Sequence, residues 1–265
     1  MKLSVVMAVF NQADTLEAAV KSVLNQSFKD FEFIIVNDAS TAKTAASLKK
    51  IKDQRVKIIT NQTRLGLTRS LNLGLKKARS QYVARMDADD VSLPDRFKLQ
   101  LDYLETHPDI GLLGSAVSLV GPSGRFLKIK RPPATPEIIR QAALRFCPFI
   151  HPTWMLRRQV IEAIGFYNSE FTYAQDYEFA LRVLSRFKGA NLTTPLLKYR
   201  VDSPRAISLR HLKTQERFAL KARWLALTRY GYPKSESFKL IKPALSYLVP
   251  AFVKKPLYRR LFWQS

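Results

Sequence analysis

Two rhythms alternate along the first 90 residues. Leu3 to Val9 is an apolar run of the kind that forms a buried strand. Leu16, Val20, Val23 and Leu24 then recur at helical spacing, with Asp14 at the position of a cap. Phe31 to Val36 is a second strand ending in Asn37-Asp38, residues 41–51 read as a helix, and Arg55 to Thr60 is a third strand. Leu67, Leu71, Leu75 and Ala78 mark another amphipathic helix before a fourth strand, Tyr82 to Met86. Elements at this pace predict a parallel sheet with helices on both faces and right-handed crossovers. The carboxyl ends of the strands then share one edge. Phe10-Asn11, Asp38, Asn61 and residues 87–90 all fall just past such ends, where α/β proteins bind their ligands.

After residue 110 the rhythm changes. Ile110 to Val120 predicts a longer strand, Gly121-Pro122-Ser123-Gly124 a turn, and residues 125–131 a hairpin partner. Pro136 to Phe146 reads as a helix, Thr153 to Leu156 as a short strand, and Arg157 to Ile164 as a helix closed by Gly165. Tyr173 to Glu178 opens another helix with Phe179, Val183, Leu184 and Phe187 on its apolar face, and Leu196 to Val201 is the last strand. From about residue 210 the pattern is helical, basic and aromatic, interrupted by Pro233, Pro243, Pro250 and Pro256. The expected organisation is a domain over residues 1–209, with halves at 1–109 and 110–209, followed by an extension over 210–265.

With 265 residues, 46% of them hydrophobic, the chain can build one large α/β core and a small appendage. Cys147 is the sole cysteine, so no intramolecular disulfide forms, and the three histidines at 107, 151 and 211 have no metal-ligand spacing. The start of the chain lacks the layout of a signal peptide, and no run of about 18 apolar residues occurs. A cytoplasmic location is therefore expected. The net charge of +23 is uneven: residues 198–265 hold 16 Lys/Arg and 3 Asp/Glu. Trp224, Tyr247, Phe252, Tyr258, Phe262 and Trp263 are interleaved with those cations. This mixture predicts peripheral docking on an anionic membrane surface, at its inner face. Nucleic acid, the rival partner, is supported by charge alone and is not expected.

The densest chemistry is Arg85-Met86-Asp87-Ala88-Asp89-Asp90, three carboxylates in four positions at a strand end. Such charges repel, so a positive group belongs among them. A hard divalent cation, Mn²⁺ or Mg²⁺, takes carboxylate oxygens and shares its other positions with substrate phosphates. The plainer alternative is a solvated acidic turn capping a helix that starts near Pro94.

Taken in order, several segments resemble a family 2 glycosyltransferase of the GT-A-type fold. They are Ser4-Val5-Val6-Met7-Ala8-Val9-Phe10-Asn11, Ile34-Ile35-Val36-Asn37-Asp38-Ala39-Ser40, Asn61-Gln62-Thr63-Arg64-Leu65-Gly66-Leu67 and Ala84-Arg85-Met86-Asp87-Ala88-Asp89-Asp90. Leu93-Pro94-Asp95-Arg96-Phe97, His151-Pro152-Thr153 and Gln175-Asp176-Tyr177 complete the set, which spans roughly residues 1–205. The resemblance implies a Rossmann-like nucleotide-binding sheet flanked by helices, with residues 1–109 as the donor half and 110–209 as the acceptor half. It implies that Asp38 accepts the uracil imide N–H, Phe10 lies against the base, and Asn11 and Arg64 contact the nucleotide. Asp87 would face the ribose or sugar, and Asp89 would bind the metal that bridges the diphosphate. Asp176 would be the general base of an inverting displacement. His151 would lie on the acceptor or diphosphate side, and Arg200, with Ser208, would reach the phosphates from a closing loop.

The implied activity moves a sugar from a UDP-sugar to a glycan or lipid-linked acceptor in cell-surface polysaccharide synthesis. A nucleotide-sugar-binding module without turnover and a nucleotidyltransferase are the alternatives. Ala8, Asn37, Ala39 and Gln175 depart from the family's usual residues without deleting a charged role. The Q-x-x-R-W sequence of processive synthases is absent after Asp176, which implies that one or few sugars are added per acceptor.

Overall fold

The computed structural model describes residues 1–201, 211–250 and 253–254. Ser208, Phe252, Tyr258, Phe262 and Trp263 lie outside the described residues.

Residues 1–109 follow the hydrophobic rhythm closely. Strands β1 (Leu3–Val9), β2 (Phe31–Asn37), β3 (Val56–Thr60) and β4 (Tyr82–Asp87) are parallel neighbours in the order β3-β2-β1-β4. Every residue of β2 is buried, as expected for a strand covered on both faces. Helices α1 (Ala13–Leu24), α2 (Ala42–Lys49) and α3 (Leu67–Lys77) connect these strands. Asp14 is not the cap of α1. Gln12 holds that position without a side-chain hydrogen bond, while Asp14 sits in the first turn and receives Lys43 at 2.7 Å.

Alternation splits the interior into two cores, one on each face of the sheet. Val6, Ile34, Val36 and Val83 face one side with Leu71 and Leu75 of α3. Val5, Met7, Phe33, Ile35, Ala84 and Met86 face the other with Leu16, Val20 and Val23 of α1.

Beyond β4 the sheet is mixed. β5 (Val91–Ser92) and α4 (Arg96–Thr106) follow the acidic loop, and β6 (Ile110–Val120) and β7 (Phe126–Lys130) form the expected hairpin. Strand β8 (Met155–Arg157) runs antiparallel between β4 and β6 and joins the two halves into one nine-stranded sheet. Strand β9 (Lys188–Arg200) runs parallel to β6, with β5 antiparallel on its other edge.

Two boundaries differ from those the sequence predicts. β9 begins eight residues before Leu196, because it continues past register shifts with β6 around Ser115, Ala116 and Ser118, opposite Pro195. A strand proline lacks a ladder N–H and belongs at such an irregularity. Helix α5 (Pro136–Ala142) ends four residues before Phe146. Beyond Ala142 the chain tightens into a turn, with the Arg145 and Phe146 N–H groups both donating to the Ala142 carbonyl at 2.8 and 3.1 Å. The end carbonyls that no helix could satisfy find other donors: Ala143 accepts from Tyr177 Oη at 2.6 Å, and Leu144 and Arg145 accept from Arg223 at 2.9 Å each.

Helices α6 (Arg158–Ile164) and α7 (Gln175–Leu184) pack against β6, β8 and β9, and α8 (Leu212–Arg229) packs on α7. Ala222, Leu225 and Ala226 of α8, with Tyr232, belong to the same core as α7. Glu178, fully buried on α7, receives Arg182 at 2.6 Å and Tyr230 Oη at 2.7 Å. The first helix after residue 210 is therefore part of the domain's packing.

Candidate active site

The site lies along the carboxyl edge of β1, β2 and β4. At the β2 end, Asp38 is buried and accepts from Asn61 Nδ2 at 2.8 Å, Leu65 N–H at 2.7 Å and Gly66 N–H at 2.8 Å. Burial pushes its pKa up. The hydrogen bonds from Leu65, Asn61 and Gly66 outweigh that and hold the carboxyl below the ordinary aspartate value. Two of these donors belong to the loop that carries Arg64, so Asp38 fixes that loop. The Ser70 side chain adds a further hydrogen bond to this carboxyl.

Arg64 lies over the ring of Phe10, with its guanidinium carbon 4.0 Å from the ring centroid. Asn11 adopts a positive φ of 54°, a left-handed conformation that asparagine tolerates well. Its Oδ1 accepts from Thr41 N–H at 2.8 Å, and its own N–H donates to Ser40 Oγ at 3.1 Å. The structure thus brings Phe10, Asn11, Asp38 and Arg64 together around one strand edge. Asp38→Asn is expected to replace a carboxylate oxygen with an amide donor facing an N–H. That loss corresponds to about 1–3 kcal/mol of stability. Urea denaturation should show a lower midpoint at pH 7. An unchanged midpoint would mean that the loop does not depend on the carboxylate.

At the β4 end, Asp87 closes the strand and residues 88–89 form a turn. This turn brings Asp87, Asp89 and Asp90 together, each offering an oxygen within 4.8 Å of the others. Strand alternation alone would have paired only the first two. Thr15 Oγ1 donates to the Ala88 carbonyl at 2.9 Å and ties α1 to the turn. Gln26, fully buried, donates to Ser92 Oγ at 3.2 Å and to the Leu93 carbonyl at 2.7 Å, holding the segment beyond it.

The positive charge that the cluster demands is partly supplied by the protein. Arg85, two residues before Asp87 on the same face of β4, pairs with it. Arg85 is almost fully buried, and its Nε and Nη1 have no protein partner. Arg200, at the end of β9, donates its backbone N–H to Asp90 Oδ1 at 2.9 Å and its Nε–H to the Asp89 carbonyl at 3.2 Å. Its guanidinium also reaches the Pro122 carbonyl in the β6–β7 turn. Arg96, fully buried behind the cluster, donates to the Arg85 carbonyl at 2.7 Å and to Gln100 Oε1 at 3.0 Å. Burial and then the Arg85 charge lower the Arg96 pKa to about 9.

These cations do not satisfy the cluster. Asp90 Oδ2 is buried without a partner. Burial and the Asp87 charge push the Asp89 carboxyl up to about 6, and burial followed by the Asp89 and Asp87 charges pushes Asp90 well above the ordinary value. Two poorly stabilised carboxylates, one of them with an orphan oxygen, beside Asp87 fit a hard divalent cation in both ligand type and spacing.

Asp176 stands in the first turn of α7, after Ala174, which adopts a left-handed conformation (φ 52°). It is not the N-cap. Burial raises its pKa. The Tyr177 N–H and the Arg85 charge oppose that effect, and Asp87 adds to it. Asp176 therefore shares an electrostatic neighbourhood with the acidic cluster across the sheet edge. The loop before α7 is pinned to α3: Asn72 donates to the Tyr167 carbonyl at 2.8 Å and accepts the Tyr167 N–H at 3.0 Å, and Thr68 Oγ1 donates to the Phe171 carbonyl at 2.7 Å.

His151 opens a short 3-10 turn before β8 and is buried against Trp154 and Tyr167, with Nε2 2.8 Å from Tyr167 Oη. Burial and then the Arg85 charge hold its pKa well below 6.5, so the ring is neutral. In this state it can orient Tyr167 but adds no positive charge toward a phosphate. Arg85 and Tyr167 are the site residues that motif reading did not single out. Only the repulsion within the acidic run hinted at Arg85, and nothing in the sequence around Tyr167 marks it.

A parallel nucleotide-type sheet whose carboxyl edge gathers an acidic cluster is the arrangement of the GT-A type of glycosyltransferase. The Glycosyl transferase family 2 model matches residues 4–165, and the chain belongs to that family. It is a glycosyltransferase. The amylovoran biosynthesis glycosyltransferase AmsE of Erwinia amylovora is 30% identical over 269 residues, covering 97% of this chain and 98% of that protein. The UDP-Glc:alpha-D-GlcNAc-diphosphoundecaprenol beta-1,3-glucosyltransferase WfaP of Escherichia coli is 30% identical over 202 residues, covering 76% of this chain and 78% of that protein.

Among solved structures, TarS 1-349 of S. aureus in complex with UDP-GlcNAc superposes with a TM-score of 0.67 at 17% identity, covering 93% of this chain and 80% of that one. A mannosyltransferase of Pyrobaculum calidifontis, in complex with GDP-Man and Mn²⁺, gives a TM-score of 0.61 at 16% identity over 100% and 88% of the two chains. These likenesses establish the fold.

Proposed function

We propose that this glycosyltransferase moves a hexosyl or N-acetylhexosaminyl group from a UDP-sugar to a hydroxyl of a glycan or lipid-linked acceptor. It would do so with inversion and with Mn²⁺ or Mg²⁺, in the synthesis of a cell-surface polysaccharide at the inner face of the membrane. The observation that carries the reading is the Asp87-Asp89-Asp90 cluster, with the buried Asp176 carboxyl feeling the Asp87 charge. The UDP-dependent and polysaccharide-forming relatives support the substrate class. A binding module without turnover has no need of a base, and the buried Asp176 carboxyl supports turnover over that alternative.

In this mechanism Asp38, Phe10, Asn11 and Arg64 bind the nucleotide. Asp38 accepts a hydrogen bond from the uracil imide N–H in exchange for one of its present donors, and Arg64 leaves the face of Phe10 or sandwiches the base against it. Asp87 faces the ribose or sugar. Asp89, with Asp90 beside it, would hold the cation, which neutralises the diphosphate when bound. Arg200 ties the closing strand to the cluster and lies within reach of the phosphates. Asp176 takes the proton of the acceptor hydroxyl as its oxygen attacks the anomeric carbon. The carbon–oxygen bond to the diphosphate breaks, and UDP departs on the opposite face. Tyr167, held by neutral His151, lines the acceptor side of that carboxylate.

Calorimetry of UDP and GDP binding, each with Mn²⁺ and with EDTA, tests the reading. The expected result is UDP binding that is strongest with Mn²⁺ and exceeds GDP binding. Equal GDP and UDP affinities would contradict the role given to Asp38.

A further inference from the structure

A helix close to the end of the described residues is built inside out. In α9 (Ile241–Leu248), Pro243, Ser246 and Tyr247 are the half-buried positions. Ser246 Oγ lies 3.4 Å from Glu216 Oε1, and Lys213 of α8 reaches both the Tyr247 carbonyl and the Tyr247 ring. The opposite face carries Ile241, Leu245 and Leu248, spaced i, i+4 and i+7, with Ala244 between them. These three large side chains are 60%, 60% and 74% exposed. A water-facing helix would reverse this arrangement. Phe238, just before the helix, is 58% exposed and continues the apolar surface.

The charge of the sequence that carries this helix points to its partner. Residues 229–265 hold eight Lys/Arg and one acidic residue, Glu236, which Lys239 already engages at 2.9 Å. Lys254 is buried and paired with Glu216. Lys242 is exposed on the flank of the apolar face, and Lys234 is exposed one turn before Phe238. A second copy of the chain would bring two such cationic surfaces together, and like charges at an isologous contact repel. An apolar helix face bordered by lysines is complementary to anionic lipid: the side chains enter the acyl boundary and the ammonium groups meet the headgroups.

We infer that α9 is a membrane-inserting element, lying in the plane of an anionic bilayer with Ile241, Leu245 and Leu248 buried in the lipid. This deepens the membrane-facing part of the proposed function by assigning the contact to a particular helix face. Because α8 binds α7 directly, an anchor on α9 would hold the domain close to the lipid surface and set its orientation there.

The test is flotation of the full chain with phosphatidylcholine vesicles, with and without phosphatidylglycerol. Wild type is expected to float with the anionic vesicles only. Ile241→Ser/Leu245→Ser/Leu248→Ser should reduce that binding by about tenfold or more, and Lys242→Glu should weaken it less. UDP calorimetry on the same samples checks that the variants are folded and reports on the donor site separately. A triple variant that binds UDP and floats as well as wild type would overturn the inference, because charge alone would then explain binding. Wild type that binds UDP but floats with neither vesicle would overturn it as well. So would a wild-type dimer, without vesicle binding, that the triple substitution converts to a monomer.

Discussion

Asp176→Asn is expected to lower sugar transfer by about 10²–10⁴-fold, the usual contribution of a positioned general base, while leaving metal-dependent UDP binding near wild type. Asparagine keeps the size of the side chain and its place in the first turn of α7, but it cannot accept the hydroxyl proton. The diphosphate cluster lies on β4 and the following turn, a separate element, so donor binding should survive. The pH profile carries a second signature. A base works when deprotonated, and burial raises the pKa of Asp176 above 3.8, so activity should fall with decreasing pH sooner than for an exposed aspartate. The asparagine variant should lose that acid limb from its residual rate. Transfer at the wild-type rate would mean that another group takes the proton.

Asp89→Asn should act on the other half of the site. Removing this carboxylate is expected to weaken Mn²⁺-dependent UDP binding by at least about 10–100-fold, since even outer-shell partners of a metal contribute that much. Without a cation, a diphosphate would face Asp87 and Asp90 directly, and like charges a few ångströms apart in a partly buried site repel strongly. Arg85 offsets this only in part, because it is already paired with Asp87. Titrating UDP with and without EDTA should therefore give similar weak binding in the variant and a large difference in wild type. Metal-enhanced binding that persists in Asp89→Asn would assign the cation to Asp87 and Asp90 instead.

The parts of the molecule that the sequence made legible follow from local rules. β1, β2, β4 and α3 appear where apolar periodicity places them, because each buries a simple face or run. The acidic cluster was visible because three carboxylates in four positions have few uses. The parts that were not legible depend on contacts between distant segments. The end of α5 is one of them: the carbonyls of Ala143, Leu144 and Arg145 just past it are satisfied by Tyr177 and Arg223, far along the chain. β9 begins at Lys188 because β6 pairs with it through a bulge opposite Pro195.

The state of His151 also depends on its surroundings. Its imidazole is neutral because Trp154, Tyr167 and Arg85 enclose it, which motif position cannot reveal. Arg85 reads as an ordinary strand residue until β4 is buried and its side chain meets Asp87. The basic, aromatic character of the region after residue 210 was plain from composition. That α9 turns its apolar side outward was not, because only packing on α8 decides which face of a helix is covered.

The most direct test of the central claim is UDP release from a panel of UDP-sugars, with Mn²⁺ and with EDTA, by wild type and Asp89→Asn. The expected result is slow turnover of one donor by wild type with Mn²⁺, lost on chelation and in the variant, which would also name the sugar. UDP release that is indifferent to both EDTA and the Asp89 substitution would contradict it, because the acidic cluster would then have no part in donor activation.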